Sequence, residues 1–369
     1  MNTEQFRRAT AGLETDHEIC LMEVCGTHTM AIASSGIRSI LPDQVKLLSG
    51  PGCPVCVTPP SDIDAILNLS MCRNVILATY GDMVRVPGSL PGDNLARRRA
   101  LGAQVQVVYS PVDAVEVAKQ NPGREVVFLG VGFETTAPGT AAAALTAKES
   151  GVSNFTVFSM LKTVEPALRA LMAMEDFRVQ GFLCPGHVAT IIGEKGFAFL
   201  PDEFSMPAVI AGFEAEDILS AIWRLLWQII NHDCKLENEY IRAVSPQGNL
   251  LAQKMMDNFF ERETADWRGL GSIPASGLKF REEFSDLDAE NRFADILGEE
   301  ARKESGAFSV HSACRCGDVI TGRISATECP LFGKRCVPED PVGPCMVSSE
   351  GACAAAYKYM DYDMFDKNG

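Results

Sequence analysis

The sequence predicts an α/β protein: two parallel-sheet α/β lobes around a cleft, followed by a small irregular domain at the C-terminus. Three observations carry this. Between residues 45 and 212, short β-branched runs alternate with longer helical patterns. The glycine- and proline-rich stretches follow the strand-like runs, where parallel sheets place their functional loops. After Ser305 the periodicity fades, and cysteine, glycine and proline take over.

The apolar segment Val45-Lys46-Leu47-Leu48 leads into GPGCPVC, and SDIDAILNLSMC then reads as a helix. Strand-like NVILATY and VQVVYS precede the helical PVDAVEVAKQN. EVVFLGVG is followed by the alanine-rich GTAAAALTAKES, and NFTVFSM by VEPALRALMAME. VQGFLC and PAVIAGF close the series. Beyond them come an apolar helix at 217–231 and amphipathic pieces at 248–262 and 286–303, with WRGLGSIPASGL between as a loop or extended connection. The expected division is 1–120 and 121–240 for the two α/β domains, and 241–369 for a helical segment plus the cysteine-rich domain.

Composition narrows the function. A net charge of −15 argues against nucleic acid or anionic lipid as main partner, because phosphate binding draws on Lys and Arg patches. The N-terminus carries no apolar h-region, and the apolar stretch ILSAIWRLLWQIINH is interrupted by Arg224 and too short for a bilayer, so a soluble cytoplasmic protein is expected. Thirteen cysteines in such a protein point to metal, cluster or redox chemistry rather than structural disulfides. Cys20, Cys72, Cys184 and Cys234 sit in apolar surroundings and read as small core residues.

Six cysteines (Cys314, Cys316, Cys329, Cys336, Cys345 and Cys353) fall in the last 56 residues. A segment so poor in apolar periodicity gains order from metal ligation. Zinc would show paired CxxC knuckles. The wide, irregular spacing here suits an iron–sulfur cluster. Cys316, Cys329, Cys336 and Cys353 are the favoured ligands, with Cys345 the main competitor. In GPGCPVC, Cys53 and Cys56 lack the second CxxC that zinc needs, and flanking prolines and glycines make core burial awkward, which favours a redox dithiol. Cys25 and His28 in CGTH place a thiol and an imidazole within reach of one centre, as a nucleophile with its base or as part of a metal site. GVGFETTAPGT is a poor dinucleotide fingerprint, since Thr135 replaces the third glycine and no acidic residue ends NFTVFSM. It reads instead as a strand-to-helix turn exposing Glu134, Thr135 and Thr136 to a cleft. His187 is equally a site residue or a helix-capping neighbour.

Taken together and in order, CGTH, GPGCPVC, YGDMVRVPG, GFETTAP, PGHVATIIG, LFGKRC and MVSSEGAC resemble the HypD family of hydrogenase maturation factors across essentially the whole chain. The resemblance implies a scaffold on which the Fe(CN)2CO group of nickel–iron hydrogenase is assembled before transfer to the apo-hydrogenase large subunit. It implies two α/β domains enclosing a cleft and a third carrying a [4Fe–4S] cluster. By the same resemblance, Cys25 ligates the iron being built, with its CN and CO ligands, and His28 stands nearby. Cys53 and Cys56 form a redox-active pair. A HypC-type small chaperone adds a second thiolate, and a HypE-type partner delivers cyanide from a thiocyanate. Glu134, Thr135, Thr136 and His187 become cleft residues that polarise or protonate a ligand precursor. The competing reading is a stand-alone iron–sulfur thiol–disulfide oxidoreductase, which would not need Cys25; a purely structural metal-binding scaffold would tolerate loss of Cys53 and Cys56.

Overall fold

A computed structural model of the chain describes residues 1–298, apart from 14 and 16, and residues 313–359. Two parallel sheets form the framework. The first comprises β1 (Ile19–Glu23), β2 (Val45–Ser49), β7 (Gly181–Pro185), β8 (Ala208–Ala211) and β9 (Leu236–Asn238), in the order β2-β1-β7-β8-β9. The second comprises β3 (Val75–Thr79), β4 (Gln104–Val107), β5 (Glu125–Gly132) and β6 (Phe155–Leu161), in the order β4-β3-β5-β6. Every pairing within the two sheets is parallel.

Chain order does not follow sheet membership. The second sheet is inserted between β2 and β7 of the first, so the expected boundary at residue 120 falls inside the second sheet, between β4 and β5. The β1 strand precedes the alternation read from the sequence. Its residues ICLME are buried throughout, so no polar alternation marks it.

Burial on both faces is written into the strands. Ile19 and Leu21 of β1 pack outward with the helices Ala215–Asn231 and Gly26–Ser34, whereas Cys20 and Met22 face a second core. In β5, Val126 and Phe128 pack with the helices Pro111–Gln120 and Ala137–Glu149, and Val127, Leu129 and Val131 point the other way. That second core is shared. It joins inner-face residues of both sheets to Cys316, Cys329, Cys336, Cys345 and Cys353. The cysteine-rich segment is thus packed into the framework rather than appended to it.

The stretch expected as a helix at 248–262 stops at Phe259, and Phe260–Trp267 (β10) pairs with Gly271–Phe280 (β11) as an antiparallel hairpin. WRGLGSIPASGL is its turn and second strand, so the extended reading is the one observed. The hairpin docks beside β6 through Thr163 N donating to Ser276 O at 2.9 Å. The piece expected at 286–303 contains the short helices Ala289–Arg292 and Ala294–Leu297, and its end lies outside the described residues. No helix among the described residues is long and apolar enough to cross a membrane.

Two glycines give opposite predictions. A Cβ on Gly52 would stand 2.2 Å from Cys25 N and 2.3 Å from Val24 C, backbone atoms with no side-chain freedom to yield. Gly52→Ala is expected to cost about 1–3 kcal/mol by overpacking. Gly139 lies within the helix Ala137–Glu149 with nothing within 4 Å of an added Cβ, so Gly139→Ala is expected to gain about 0.5–1 kcal/mol. Denaturant unfolding of both variants checks the pair.

Candidate functional site

In the first sheet the chain steps from β1 to β2 in one direction and from β7 to β8 in the other, so the order reverses between β1 and β7. A crevice opens at such a point, beyond the carboxyl ends of the strands. Cys25 follows β1, and His187 follows β7. Cys25 is the N-cap of the helix Gly26–Ser34 and is 8% exposed. Burial pushes its thiol up to about 12, and the Glu350 and Glu23 carboxylates add to that, while the His28 and Thr27 amides oppose it. A bound cation would reverse the balance, because metal ligation takes the thiolate.

His28 is fully buried. Its Nε2 lies 2.9 Å from the Gly212 carbonyl oxygen, which can only accept, so Nε2 carries the hydrogen. Burial lowers its pKa to about 4, leaving the ring neutral. Nδ1 is then a buried lone pair with no hydrogen-bond partner. Phe213 lies beside the ring at 4.7 Å and stacks on His187 at 3.9 Å. This row of rings is set by GFE after β8 and PGH after β7, neighbouring strands whose loops meet in space. His187 itself is exposed at the row's outer end. Beneath Cys25, the buried Glu23 accepts from Cys25 N at 3.1 Å and from Thr29 Oγ1 at 2.5 Å, which fixes the turn. Burial raises the Glu23 carboxyl to about 7.

GPGCPVC lies directly against this turn. Gly50 N donates to Glu23 O at 2.8 Å, and Gly26 N donates to Gly52 O at 3.0 Å. Cys53 caps the short helix Pro54–Val57, its sulfur accepting from Cys56 N at 3.2 Å. Cys53 and Cys56 are joined as a disulfide, with Cα atoms 5.2 Å apart, and are 6% and 0% exposed. The awkward burial expected from the flanking glycines and prolines does not arise, because those glycines are what lets the turn pack on the β1 loop.

A third segment crosses both turns. Ser348 Oγ lies 3.4 Å from Cys53 Sγ, and Glu350 Oε1 accepts from Thr27 Oγ1 at 2.6 Å. Glu350 sits so close over Gly26 that a Cβ there would meet it at 2.5 Å. The same segment runs between Cys345 and Cys353, whose sulfurs are 3.1 Å apart. The neighbouring Cys345 and, after it, burial hold the Cys316 thiol well above its ordinary value. Cys353 in turn feels Cys316, Cys329 and Cys336. Five buried thiols therefore share one region, a donor set whose chemistry fits an iron–sulfur cluster. Among the described residues, however, no three Cys, His, Asp or Glu side chains already stand at ligating positions. Cys345 touches Cys353 and neighbours Cys316, so the structure does not separate it from the four favoured ligands. Cys314 is half-buried and lines a cavity of about 110 Å³ with Arg268 and Cys316.

Other expectations are corrected. Glu134 is not exposed to a cleft: it is 2% exposed, Oε1 accepts from Val164 N at 2.9 Å, and Oε2 is buried without a partner. It follows β5, in the second sheet, and caps the helix Val164–Met172. Thr135 is exposed, and Thr136 folds back over Gly132. Cys20 and Cys184 are core residues as expected and Cys72 is half-buried, but Cys234 is exposed because it lies in the turn after the helix Ala215–Asn231.

Glu23, Asp82, Phe213, Arg268, Ser348 and Glu350 escaped sequence reasoning as individual residues. Arg268 bridges the dithiol turn and the cysteine-rich segment: its N and Nε donate to Val57 O at 2.8 Å and Thr58 O at 3.1 Å, and Gly269 abuts Gly317. The signal available was the punctuation around YGD, GFE and SSEG, glycine-flanked polar residues beside cysteine motifs.

These glycine-rich turns press on one another's backbone around buried cysteines, which defines a thiol-bearing α/β protein. The family model described as "Hydrogenase formation hypA family" (HypD) matches residues 3–360. The chain is 44% identical over 345 residues to "Hydrogenase maturation factor HypD2" of Bradyrhizobium diazoefficiens, covering 92% of this chain and 88% of that protein. It is 44% identical to "Hydrogenase maturation factor HypD" of Azotobacter vinelandii, covering 95% of this chain and 92% of the relative. With the HypD of Escherichia coli K12 the identity is 43%, over 92% of this chain and 88% of that one. The chain belongs to the HypD family of hydrogenase maturation factors.

Glu134 supplies a pH prediction. Burial raises its carboxyl from 4.5 to about 7, so the folded state binds this proton more tightly than the unfolded state. Its contribution is full below 4.5 and is lost as pH rises through about 7. His28, lowered to about 4, acts oppositely and is common to both proteins. The stability of wild type relative to Glu134→Gln is therefore expected to fall between pH 4.5 and 7 in denaturant unfolding.

Proposed function

We propose that this protein is the scaffold and redox component for assembling the Fe(CN)2CO group of nickel–iron hydrogenase, working in the cytoplasm. Cys25 holds the iron as its thiolate, giving up its proton on binding. A soft thiolate is a suitable anchor for iron carrying cyanide and CO. The supporting observation is the convergence of Cys25, the Cys53–Cys56 pair and the cysteine-rich segment through residues 348–350. Glu23 fixes the Cys25 turn, and neutral His28 offers the Nδ1 lone pair to an incoming donor. His187 stands at the exposed end of the ring row, where it can meet a ligand precursor.

Cys316, Cys329, Cys336 and Cys353 would hold the [4Fe–4S] cluster, with Cys345 as the alternative ligand. Such a cluster supplies electrons one at a time. Cys53 and Cys56 store two electrons as dithiol and release them on forming the disulfide. A HypC-type small chaperone provides a second thiolate to the iron, and a HypE-type partner brings cyanide. The finished group passes to the apo-hydrogenase large subunit. The disulfide at Cys53–Cys56 also supports the narrower reading of a stand-alone thiol–disulfide oxidoreductase.

Cys25 separates the two. In a host lacking its own family member, the wild-type chain is expected to restore nickel–iron hydrogenase activity. Cys25→Ala and the Cys53→Ser/Cys56→Ser double variant are each expected to abolish it. Full activity with Cys25→Ala would discard the scaffold in favour of the oxidoreductase.

A further inference from the structure

The dithiol is nearly closed off from solvent, with only an edge of Cys53 reachable: Cys53 is 6% and Cys56 0% exposed. One chain of contacts leads out. Cys53 Sγ lies 3.4 Å from Ser348 Oγ, and Ser348 Oγ donates to Asp82 Oδ2 at 3.2 Å. Asp82 is half-buried at the start of the turn Gly81–Arg85, beyond the carboxyl end of β3. Two further donors hold it in place, Ser349 N at 2.9 Å and Ser349 Oγ at 2.8 Å. All three bonds fall on Oδ2, leaving Oδ1 outside the network. Ser348 Oγ is itself held by Glu350 N at 3.2 Å. Its hydrogen is thus committed to the carboxylate and one lone pair to Glu350 N, which leaves the other lone pair for a Cys53 S–H.

We infer that Ser348 and Asp82 form the proton path of the Cys53–Cys56 pair, an inference that rests on reading the pair as redox-active. In the dithiol, the Cys53 S–H donates to Ser348 Oγ. As Cys53 attacks an outside disulfide, its proton moves to Ser348 and the Ser348 hydroxyl proton moves to Asp82. A bond forms between Cys53 and the attacked sulfur, the outside S–S bond breaks, and its second sulfur leaves as thiolate. Cys56 then attacks Cys53 Sγ, closing the internal disulfide and releasing the attached thiol, which takes the Cys56 proton. Asp82 returns its proton through solvent to the first thiolate. The pair loses two electrons, and one outside disulfide becomes two thiols. Run backwards, the same path protonates Cys53 when the pair is reduced. Asp82 and Ser348 come from opposite ends of the sequence, so the path exists only when residues 345–353 are seated on the framework. Proton delivery to the dithiol is thereby tied to the packing of the cysteine-rich segment.

The test uses the full chain, reduced, kept anaerobic and mixed with excess oxidised glutathione. Alkylation stops the reaction, and the mass of the peptide carrying Cys53 and Cys56 reports disulfide formation. A positioned acid–base group contributes roughly 10²–10⁴-fold, and the path predicts that Ser348→Ala and Asp82→Asn each slow closure by at least about tenfold. The double variant should be no slower than the slower single variant. Ser348→Thr, which keeps the hydroxyl, should restore most of the rate. Transfer to D2O should slow the wild type more than Ser348→Ala, a difference that loss of packing alone would not produce. Wild-type rates in Ser348→Ala and Asp82→Asn would overturn the path and leave the dithiol reading standing. A wild-type pair that never closes would overturn both.

Discussion

The site depends on one backbone contact. Gly52 lies so close to Val24 and Cys25 that no side chain fits between them, and amides from each turn bond to carbonyls of the other. This is possible because β1 and β2 are paired in parallel register from Ile19–Val45 to Glu23–Ser49, so both strands release their loops at the same level. The thiol of Cys25 and the pair at Cys53–Cys56 are neighbours for that reason alone. Glu350 over Gly26 repeats the device with a third segment. Three sets of cysteines, distant in sequence, come together because glycine lets backbones approach where any Cβ would hold them apart.

Burial is the second consequence. Cys25, Glu23 and His28 are all removed from water, and each is pushed towards its neutral form. A site of this kind stores neither a free thiolate nor an imidazolium. A bound cation would draw the thiol proton away, and that proton would pass to a neighbour or to solvent. The neutral His28, with Nε2 committed to Gly212 O and Nδ1 open, is a buried acceptor that the turn presents. In the proposed function, low polarity would suit small neutral or singly charged ligands on the iron, since water is excluded from the reacting group.

Much of this was legible in the sequence. The alternation of β-branched runs and helical patterns located β3 to β8 and their helices, because buried parallel strands are short apolar runs ending in glycine or proline. CGTH and GPGCPVC were legible as chemistry because cysteine beside glycine and proline is a costly way to build a plain core. What the sequence did not display was topology. Nothing in EICLMEV says that β1 pairs with a strand 160 residues later, so the division at residue 120 missed the insertion of one sheet into the other. Glu134 misled because a polar residue in a glycine-rich turn reads as exposed, whereas its carboxyl caps a helix from inside. Ser348, Glu350 and Asp82 were invisible as site residues because their partners lie more than 260 residues away. Long-range hydrogen bonds leave no periodicity to read.

The most direct measurement is infrared spectroscopy of the chain purified anaerobically together with a HypC-type chaperone, in the region where metal-bound CO and cyanide absorb. The account predicts cyanide and CO bands in the wild-type complex and their complete loss in Cys25→Ala, with the chaperone still bound. The same bands persisting in Cys25→Ala would place the iron elsewhere and contradict the anchor on which the account rests.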